Sequence, residues 1–413
     1  MGNFKAGAGT GIIRFSEELF PFQGFKGVHD DPHVRILYIE KKEKWVIASY
    51  EIVMLSDSLI GKCRELIAEA LNMKVENVWL HMTHAITTPH PPGGPGVDPN
   101  AEEIRREREL FEQALLQATR EAAEQTADSI KEALIGVGRG ESYTNCSRDI
   151  QSDIGWWIGI NPEGFSMRDM TVLKVMDTAQ NPIAFLISYD IKPCAVDNSQ
   201  MKENERLISS DVPGRACTLM EEKYGVPVLF CMAASGDQIP RKTAMYDEIV
   251  DGQVRTVDLG VVAGFTIVEE LGREMAEDAI AIADGIEKMI EAPDIRLQTG
   301  SFQHGTKPRM ELMPRKAVIF EADGTTDVTV STAEIGNIAF VGCKPEINCI
   351  TEKELRDRSL KEYTMVVSLL NGGMKYMPDQ SSYDHASNEA QASMLMPGAA
   401  EKFVDIAVNL LKE

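Results

Sequence analysis

Short runs rich in Val, Ile, Tyr and Phe recur along this chain of 413 residues, and longer segments with helical periodicity lie between them. Runs of this length favour strands, whereas a period of 3.6 residues favours amphipathic helices. No repeat, low-complexity linker or break in composition divides the chain. We therefore predict one α/β domain over residues 1–413, with a mixed β-sheet core and helices packed on the outside. The predicted strands are Val34–Ile39, Trp45–Val53, Val75–Leu80, Thr171–Met176, Ile183–Tyr189, Val226–Met232, Ala317–Glu321 and Ile338–Gly342, and the predicted helices are Asn100–Leu134, Ala263–Ile290 and Ala399–Leu411.

Charge and composition narrow the classes of partner. The net charge of -22 and the lack of a basic patch argue against nucleic acid and against an anionic membrane surface. The longest apolar runs, such as Val226–Ala234, are too short to span a bilayer. The seven cysteines are scattered without a C-x-x-C pair, and the first residues do not form a secretion signal, so we expect free thiols in a cytoplasmic protein. The expected partner is a small-molecule substrate, and self-association into a homo-oligomer is a general expectation for such a chain.

The segment Leu80–Gly94 contains three of the seven histidines. It follows a predicted strand, and its Pro/Gly block excludes a helix, so His84 is predicted on a loop at a strand end. Open α/β sheets place ligand sites at such loops. A capped surface histidine is the alternative interpretation.

Four further segments follow the histidine loop in order: Leu186–Pro193, Met232–Pro240, Val341–Glu346 and Asn371–Pro378. Together, this succession resembles the catalytic domain of the neutral, non-lysosomal ceramidases and their bacterial relatives. The resemblance covers nearly the whole chain. Because the chain stops after its last predicted helix, the resemblance implies a catalytic domain without the immunoglobulin-like domain that follows it in true ceramidases.

The resemblance implies a zinc ion held by two histidines, a glutamate and a tyrosine, which activates water for attack on an amide carbonyl. Carried over to this sequence, His84, Glu346 and Tyr376 match three of the zinc ligands. Arg148 matches an arginine near the substrate carbonyl.

Four other positions depart from the family pattern. Lys192 replaces the second zinc histidine, and a lysine must lose a proton with a pKa near 10.4 before it can coordinate zinc. Ile86 replaces a companion histidine, Ile239 replaces a serine linked to amide cleavage, and Asn388 replaces a tyrosine. We therefore do not expect ceramide hydrolysis.

Two arrangements fit this pattern, and the sequence leaves both open. In the first, a metal is bound by a rebuilt shell of nitrogen and oxygen ligands. Those ligands are His84, Glu346 and Tyr376, joined by His90 or Asp190. In the second, the Lys192 ammonium takes the place of the metal and pairs with Glu346, because a buried carboxylate requires a compensating cation.

Several of these residues also have structural interpretations. Glu346 could cap the following helix, Tyr376 could be a core tyrosine, and Arg148 could pair with Asp149 at the surface. Asp237 could hold its own loop through backbone amides. The remaining candidates for substrate binding are His90, Trp156, Trp157, Asp237 and Asn388; the two tryptophans could equally be core residues.

The function predicted from these residues is a bacterial-type, ceramidase-like hydrolase that cleaves an amide or related bond of a small polar substrate other than ceramide. A second hypothesis is a metal-independent isomerase or lyase for a carbohydrate-like substrate, with Lys192 and His84 as the proton-transfer pair. A third is a catalytically inactive homologue that binds a ligand.

Overall fold

The computed structural model describes residues 3–93, 96–202, 205–291 and 293–412, so Gly94 of the histidine loop lies outside the described residues. The helices are α1 (Asp57–Ala70), α2 (Glu102–Ser129), α3 (Asp211–Tyr224), α4 (Val261–Asp284), α5 (Cys349–Arg358), α6 (Gln380–Asp384), α7 (Asn388–Ala392) and α8 (Ala399–Lys412). The strands are β1 (Lys5–Ile12), β2 (Phe25–Val28), β3 (His33–Glu40), β4 (Lys44–Tyr50), β5 (Val78–Met82), β6 (Lys131–Glu141), β7 (Asn145–Ser152), β8 (Gly155–Asn161), β9 (Asp169–Asp177), β10 (Pro182–Tyr189), β11 (Arg206–Ile208), β12 (Val228–Met232), β13 (Gln238–Pro240), β14 (Met245–Val250), β15 (Gln253–Asp258), β16 (Ile290–Glu291), β17 (Ile295–Thr306), β18 (Gly324–Ile335), β19 (Ile338–Gly342), β20 (Glu346–Ile347), β21 (Tyr363–Val367) and β22 (Tyr376–Met377).

Two sheets form the centre of the fold. The larger has the strand order β12-β10-β9-β6-β1-β3-β4-β5, with β16 paired to β6. Most of its neighbours are antiparallel, but β10 runs parallel to β12 and β4 runs parallel to β5. The smaller has the order β17-β18-β19-β21, and its last pair is parallel. The predicted mixed sheet is therefore confirmed.

The two sheets pack face to face and helices cover their outer faces. Trp45 of the large sheet contacts Phe340 of the small sheet, with ring centroids 5.0 Å apart. Leu115 of α2 is buried against the other face of the large sheet, and Phe403 of α8 is buried against the small sheet. The resulting order of layers is helix, sheet, sheet, helix, which confirms the predicted α/β class with helices on the outside.

The close approach of α2 to β1 depends on glycine. A Cβ atom on Gly9 would lie 2.2 Å from the carbonyl oxygen of Ala122, and one on Gly11 would lie 2.0 Å from that of Ala118. Since these distances are shorter than any van der Waals contact, only glycine allows the helix to rest on the strand at this depth.

Most predicted elements are confirmed, one is wrong, and several have different ends. The strand predicted from Val75 begins at Val78, after a 3-10 turn over Val75–Asn77, and the strand predicted to reach Val53 ends at Tyr50. The run Ala317–Glu321 is not a strand; Ile319 is 89% exposed there, so the apolar run is not part of either sheet. The helix predicted to reach Leu134 ends at Ser129, because the chain turns into β6 and pairs with β1 and β9. Likewise, α4 ends at Asp284, before the predicted Ile290.

All seven cysteines are free and buried. Among the described residues, no helix is both long and apolar enough to cross a membrane.

Candidate active site

Four strand ends bring the candidate residues together. His84 follows β5, as predicted, in a left-handed conformation with φ of 60°, and its backbone N–H donates to the Ile52 carbonyl at 3.1 Å. Lys192 follows β10, and its N–H donates to the Gln238 carbonyl at 3.2 Å. Glu346 and Tyr376 are partners in the short parallel pair β20–β22. Backbone hydrogen bonds therefore fix where each of these four residues lies in the fold.

Glu346 is shared by two nitrogen-bearing side chains, those of His84 and Lys192. Its Oε1 atom lies 2.8 Å from His84 Nδ1, and its Oε2 atom lies 2.8 Å from Lys192 Nζ. Lys192 Nζ also donates a hydrogen bond to the Tyr376 hydroxyl at 3.1 Å. Glu346 and Lys192 are each only 2% exposed. The structure thus brings together four of the five predicted catalytic residues in one connected group, which we call the Lys192 cluster.

The charges in this cluster stabilise one another. Burial alone would raise the pKa of Glu346, but His84 and Lys192 lower it to about 2. Burial alone would lower the pKa of Lys192, but the Glu346 carboxylate, together with Tyr376, raises it. At neutral pH the pair is therefore an ammonium and a carboxylate.

Arg148, the fifth predicted catalytic residue, lies beside the cluster. Its Cζ atom is 5.3 Å from the centroid of the Tyr376 ring, which places the guanidinium over the ring face. The guanidinium pairs with Glu389, whose Oε1 accepts from Arg148 Nε at 2.6 Å. Arg148 is 7% exposed and Glu389 is fully buried, so this is an interior ion pair and not a surface one.

The side chains at the Lys192 position do not fit a zinc shell. Both oxygens of Glu346 already face side-chain nitrogens, and the Lys192 ammonium, which has no free lone pair, lies between Glu346 and Tyr376. In the parts of the chain that the structure describes, no group of three or more His, Cys, Asp or Glu side chains could hold a metal ion.

Of the two further ligands that the sequence allowed, Asp190 has its carboxylate engaged elsewhere. Asp190 accepts a hydrogen bond from the backbone N–H of Ala234 at 3.0 Å, inside the protein. His90 is exposed, and its backbone forms two hydrogen bonds with the Gln23 side chain, each of 2.9 Å. The geometry therefore agrees with the arrangement in which an ammonium stands at the metal position.

A cavity of about 280 Å³ opens beside the cluster. Lys192, Arg148 and Tyr376 line it, whereas His84 and Glu346 do not. Ile86 and Ile239 form apolar parts of its wall, at positions where the ceramidase pattern has polar residues. The remaining polar and sulfur-containing lining includes Cys194, Asp197, Thr243, Asp247 and Thr256.

The other predicted substrate-binding residues have varied positions. Trp157 donates from its indole N–H to Asp247 at 2.9 Å, next to the cavity, whereas Trp156 stacks on His385 with centroids 4.5 Å apart. Asp237 accepts from the backbone N–H of Cys349 at 2.9 Å, so it holds two loops together. Asn388, the last of these predicted residues, is buried at the start of α7.

Sequence reasoning missed Glu389, Asp197 and Asp247. Glu389 and Asp247 carry no local signal, because each contacts residues far along the chain, whereas Asp197 lies only five residues after Lys192 and could have been found from that segment. Glu389, for example, is 241 residues from Arg148.

Two solved structures resemble the whole chain. One is the neutral ceramidase from Pseudomonas aeruginosa, which is 14% identical in sequence and has a TM-score of 0.73, over 100% of this chain and 75% of that one. The other is a ceramidase complexed with C2, at 13% identity and a TM-score of 0.73, over 100% of this chain and 76% of that one. This chain has a ceramidase-like fold. No protein-family model and no curated protein matches the sequence.

Proposed function

We propose that the protein is a metal-independent hydrolase of the ceramidase-like fold that cleaves an amide or related bond in a small polar substrate other than ceramide. The observation that carries the proposal is the Lys192 ammonium, which lines the cavity at the position that the resemblance assigns to a zinc ligand. A cation fixed there can stabilise negative charge on a carbonyl oxygen, as a metal ion would.

In this proposal three cavity-lining groups serve the substrate carbonyl. Lys192 donates to the oxygen that becomes negative in the tetrahedral intermediate, and the Tyr376 hydroxyl, which accepts from Lys192 at 3.1 Å, directs its own proton into the same region. Arg148 adds a second positive charge beside the Tyr376 ring. Glu346 and Glu389 hold these cations in place, so little rearrangement is required when charge develops.

His84 supplies the proton acceptor. Its Nδ1 faces Glu346 at 2.8 Å, so the carboxylate favours the tautomer with the proton on Nδ1 and leaves Nε2 free to accept. Water forms a bond to the carbonyl carbon, and because His84 does not line the cavity, the proton of that water passes to Nε2 through a second, bridging water. The bond to the leaving group then breaks, and the leaving group departs with that proton.

The isomerase or lyase hypothesis uses Lys192 and His84 as a proton-transfer pair. The ion pair with the Glu346 carboxylate raises the pKa of Lys192 despite burial, so in such a pair Lys192 would donate the proton and His84 would accept it. The fate of oxygen from labelled water, described below, distinguishes this hypothesis from hydrolysis.

Substitutions of Lys192 test the proposal. We expect Lys192→Met to lower kcat/KM for short acyl amides by roughly 100-fold, because it removes the charge while keeping the length of the side chain. The matched control is Lys307→Met, since Lys307 is also buried, at 3% exposure, but does not line the cavity. Incorporation of oxygen from isotopically labelled water into the product would identify hydrolysis, and a product without the label would contradict it.

Metal content measured on the same proteins tests whether the ammonium replaces zinc. We expect no stoichiometric zinc in the unmutated protein, and uptake of zinc by Lys192→His, which restores a second histidine beside His84, Glu346 and Tyr376. Stoichiometric zinc in the unmutated protein, with activity lost on chelation, would overturn the metal-independent mechanism.

A further inference from the structure

One wall of the cavity is a β-hairpin that carries an acidic residue. Strands β14 and β15 pair with each other, and β14 also packs on β8. Met245, Tyr246, Asp247 and Thr256 of this hairpin line the cavity that holds Lys192. The hairpin therefore contributes side chains to the same space as the proposed catalytic groups.

Two uncharged donors hold the Asp247 carboxylate in position. Its Oδ2 atom accepts from the indole N–H of Trp157 at 2.9 Å, and its Oδ1 atom accepts from the Thr256 hydroxyl at 2.6 Å. Among the described residues no Lys, Arg or His side chain forms an ion pair with it, although Arg255 of the same hairpin pairs with the adjacent Glu248 at 3.5 Å. Asp247 is thus oriented by the protein but not neutralised by it.

The cationic residues of the cavity, unlike Asp247, have partners of opposite charge within the protein. Lys192 is neutralised by Glu346 and Arg148 by Glu389. The second acidic lining residue, Asp197, is close enough to Asp247 for the two to repel: burial and, more weakly, Asp247 raise the pKa of Asp197 to about 6, while Arg206 and Arg148 act to lower it. A bound cation would relieve this repulsion, and the protein itself supplies none at Asp247.

We infer that Asp247 determines specificity by binding the ammonium group of an amine-bearing substrate whose carbonyl group lies at Lys192. The inference rests on the proposed function of this site and adds the class of substrate. The cavity volume of about 280 Å³ suits a small molecule, such as an amide that carries a primary amine a few bonds from its carbonyl carbon.

A pair of probes that differ only in charge tests the inference. N-(aminobutyl)acetamide has a terminal ammonium, and N-pentylacetamide replaces it with a methyl group of similar size. We expect the unmutated protein to bind the charged probe roughly tenfold more tightly by titration calorimetry, and Asp247→Asn to remove this preference. The matched control is Glu248→Gln, which removes a charge from the same strand at a residue that does not line the cavity and should retain the preference.

Asp247→Glu provides a second variant in case Asp247→Asn fails to fold. Because it keeps the charge, it should retain a preference for the charged probe. Equal affinity of the unmutated protein for both probes, or a preference that survives in Asp247→Asn, would overturn the role of Asp247.

Release of acetate, measured in parallel, separates this inference from the proposed function. Charge-selective binding that depends on Asp247, without acetate release, would support the role of Asp247 in binding and contradict hydrolysis. Acetate release at equal rates from both probes would support hydrolysis and contradict the selectivity.

Discussion

At Arg148, a buried and a half-buried carboxyl group compete for one guanidinium. Glu389 forms the ion pair, and Asp149 lies close by. Burial, followed by repulsion from Glu389 and Asp237, raises the pKa of Asp149 well above its usual value, so Asp149 favours its protonated form beside the Arg148–Glu389 pair. The site therefore contains a reserve carboxyl group that can ionise if the first one is removed.

Because Asp149 can ionise when Glu389 is removed, we predict that a single substitution at Glu389 destabilises the protein less than a substitution of both carboxyl groups. We expect Glu389→Gln to lower the free energy of unfolding by only about 1 kcal/mol, because Asp149 loses its proton and pairs with Arg148. The double variant Glu389→Gln, Asp149→Asn should lose about 3 to 5 kcal/mol, since it leaves the guanidinium buried without a counter-charge. Urea unfolding at neutral pH measures both, and equal losses would show that Asp149 does not compensate.

Among the elements, the contact between α2 and β1 is the most sensitive to side-chain size. The carbonyl oxygen of Ala118 would lie 2.0 Å from a Cβ atom on Gly11, and it belongs to helix backbone that cannot move aside locally. Gly61 on α1 provides the contrast, because a Cβ there would meet no atom within 4 Å.

Gly11→Ala should therefore lower the free energy of unfolding by about 2 kcal/mol or more, since α2 must shift away from the strand. Gly61→Ala is the control and should raise it by up to about 1 kcal/mol, because alanine favours the helix and the space is open. Thermal or urea unfolding of both variants measures the difference. A similar effect of the two substitutions would contradict the close packing described for α2.

The same elements show what the sequence could predict. The strand Ile338–Gly342 has the predicted bounds because a continuous apolar run coincides with a fully buried strand. The predicted end of α2 was wrong. Ile130 and Leu134 continue the helical spacing of apolar residues, but residues from Lys131 onward form β6, which pairs with β1 and β9. The position of His84 was predictable from a strand followed by proline and glycine, whereas Glu389 and Asp247 reach the site only through the tertiary fold.

Across the whole molecule, buried ion pairs link the layers. Arg35 of β3 pairs with Glu51, which follows β4, and with Glu221 of α3, so a helix and two neighbouring strands are joined. Glu51 also accepts from the Ser210 hydroxyl at 2.9 Å. Burial would raise the pKa of Glu51, but Arg35 and His33 lower it to about 2.

This low pKa predicts how stability changes in acid. An unfolded glutamate has a pKa near 4.3, so the contribution of Glu51 is fully present above that pH and is lost as the pH falls towards 2. We expect Glu51→Gln to lower the free energy of unfolding by about 3 kcal/mol at pH 7, and the difference from the unmutated protein to narrow below pH 4. Glu18→Gln, at an exposed pair with Arg106, is the control and should change little. A deficit that stays constant down to pH 2 would contradict the assignment.

The β14–β15 hairpin has a consequence for how this protein could change over evolution. In the described part of the chain its strands pair only with each other, so replacing them would leave the hydrogen-bond ladders of both large sheets intact. The residues that hold Lys192 belong to other elements. Recombination or design could therefore exchange this hairpin as one unit, changing one wall of the cavity while the Lys192 cluster is inherited unchanged.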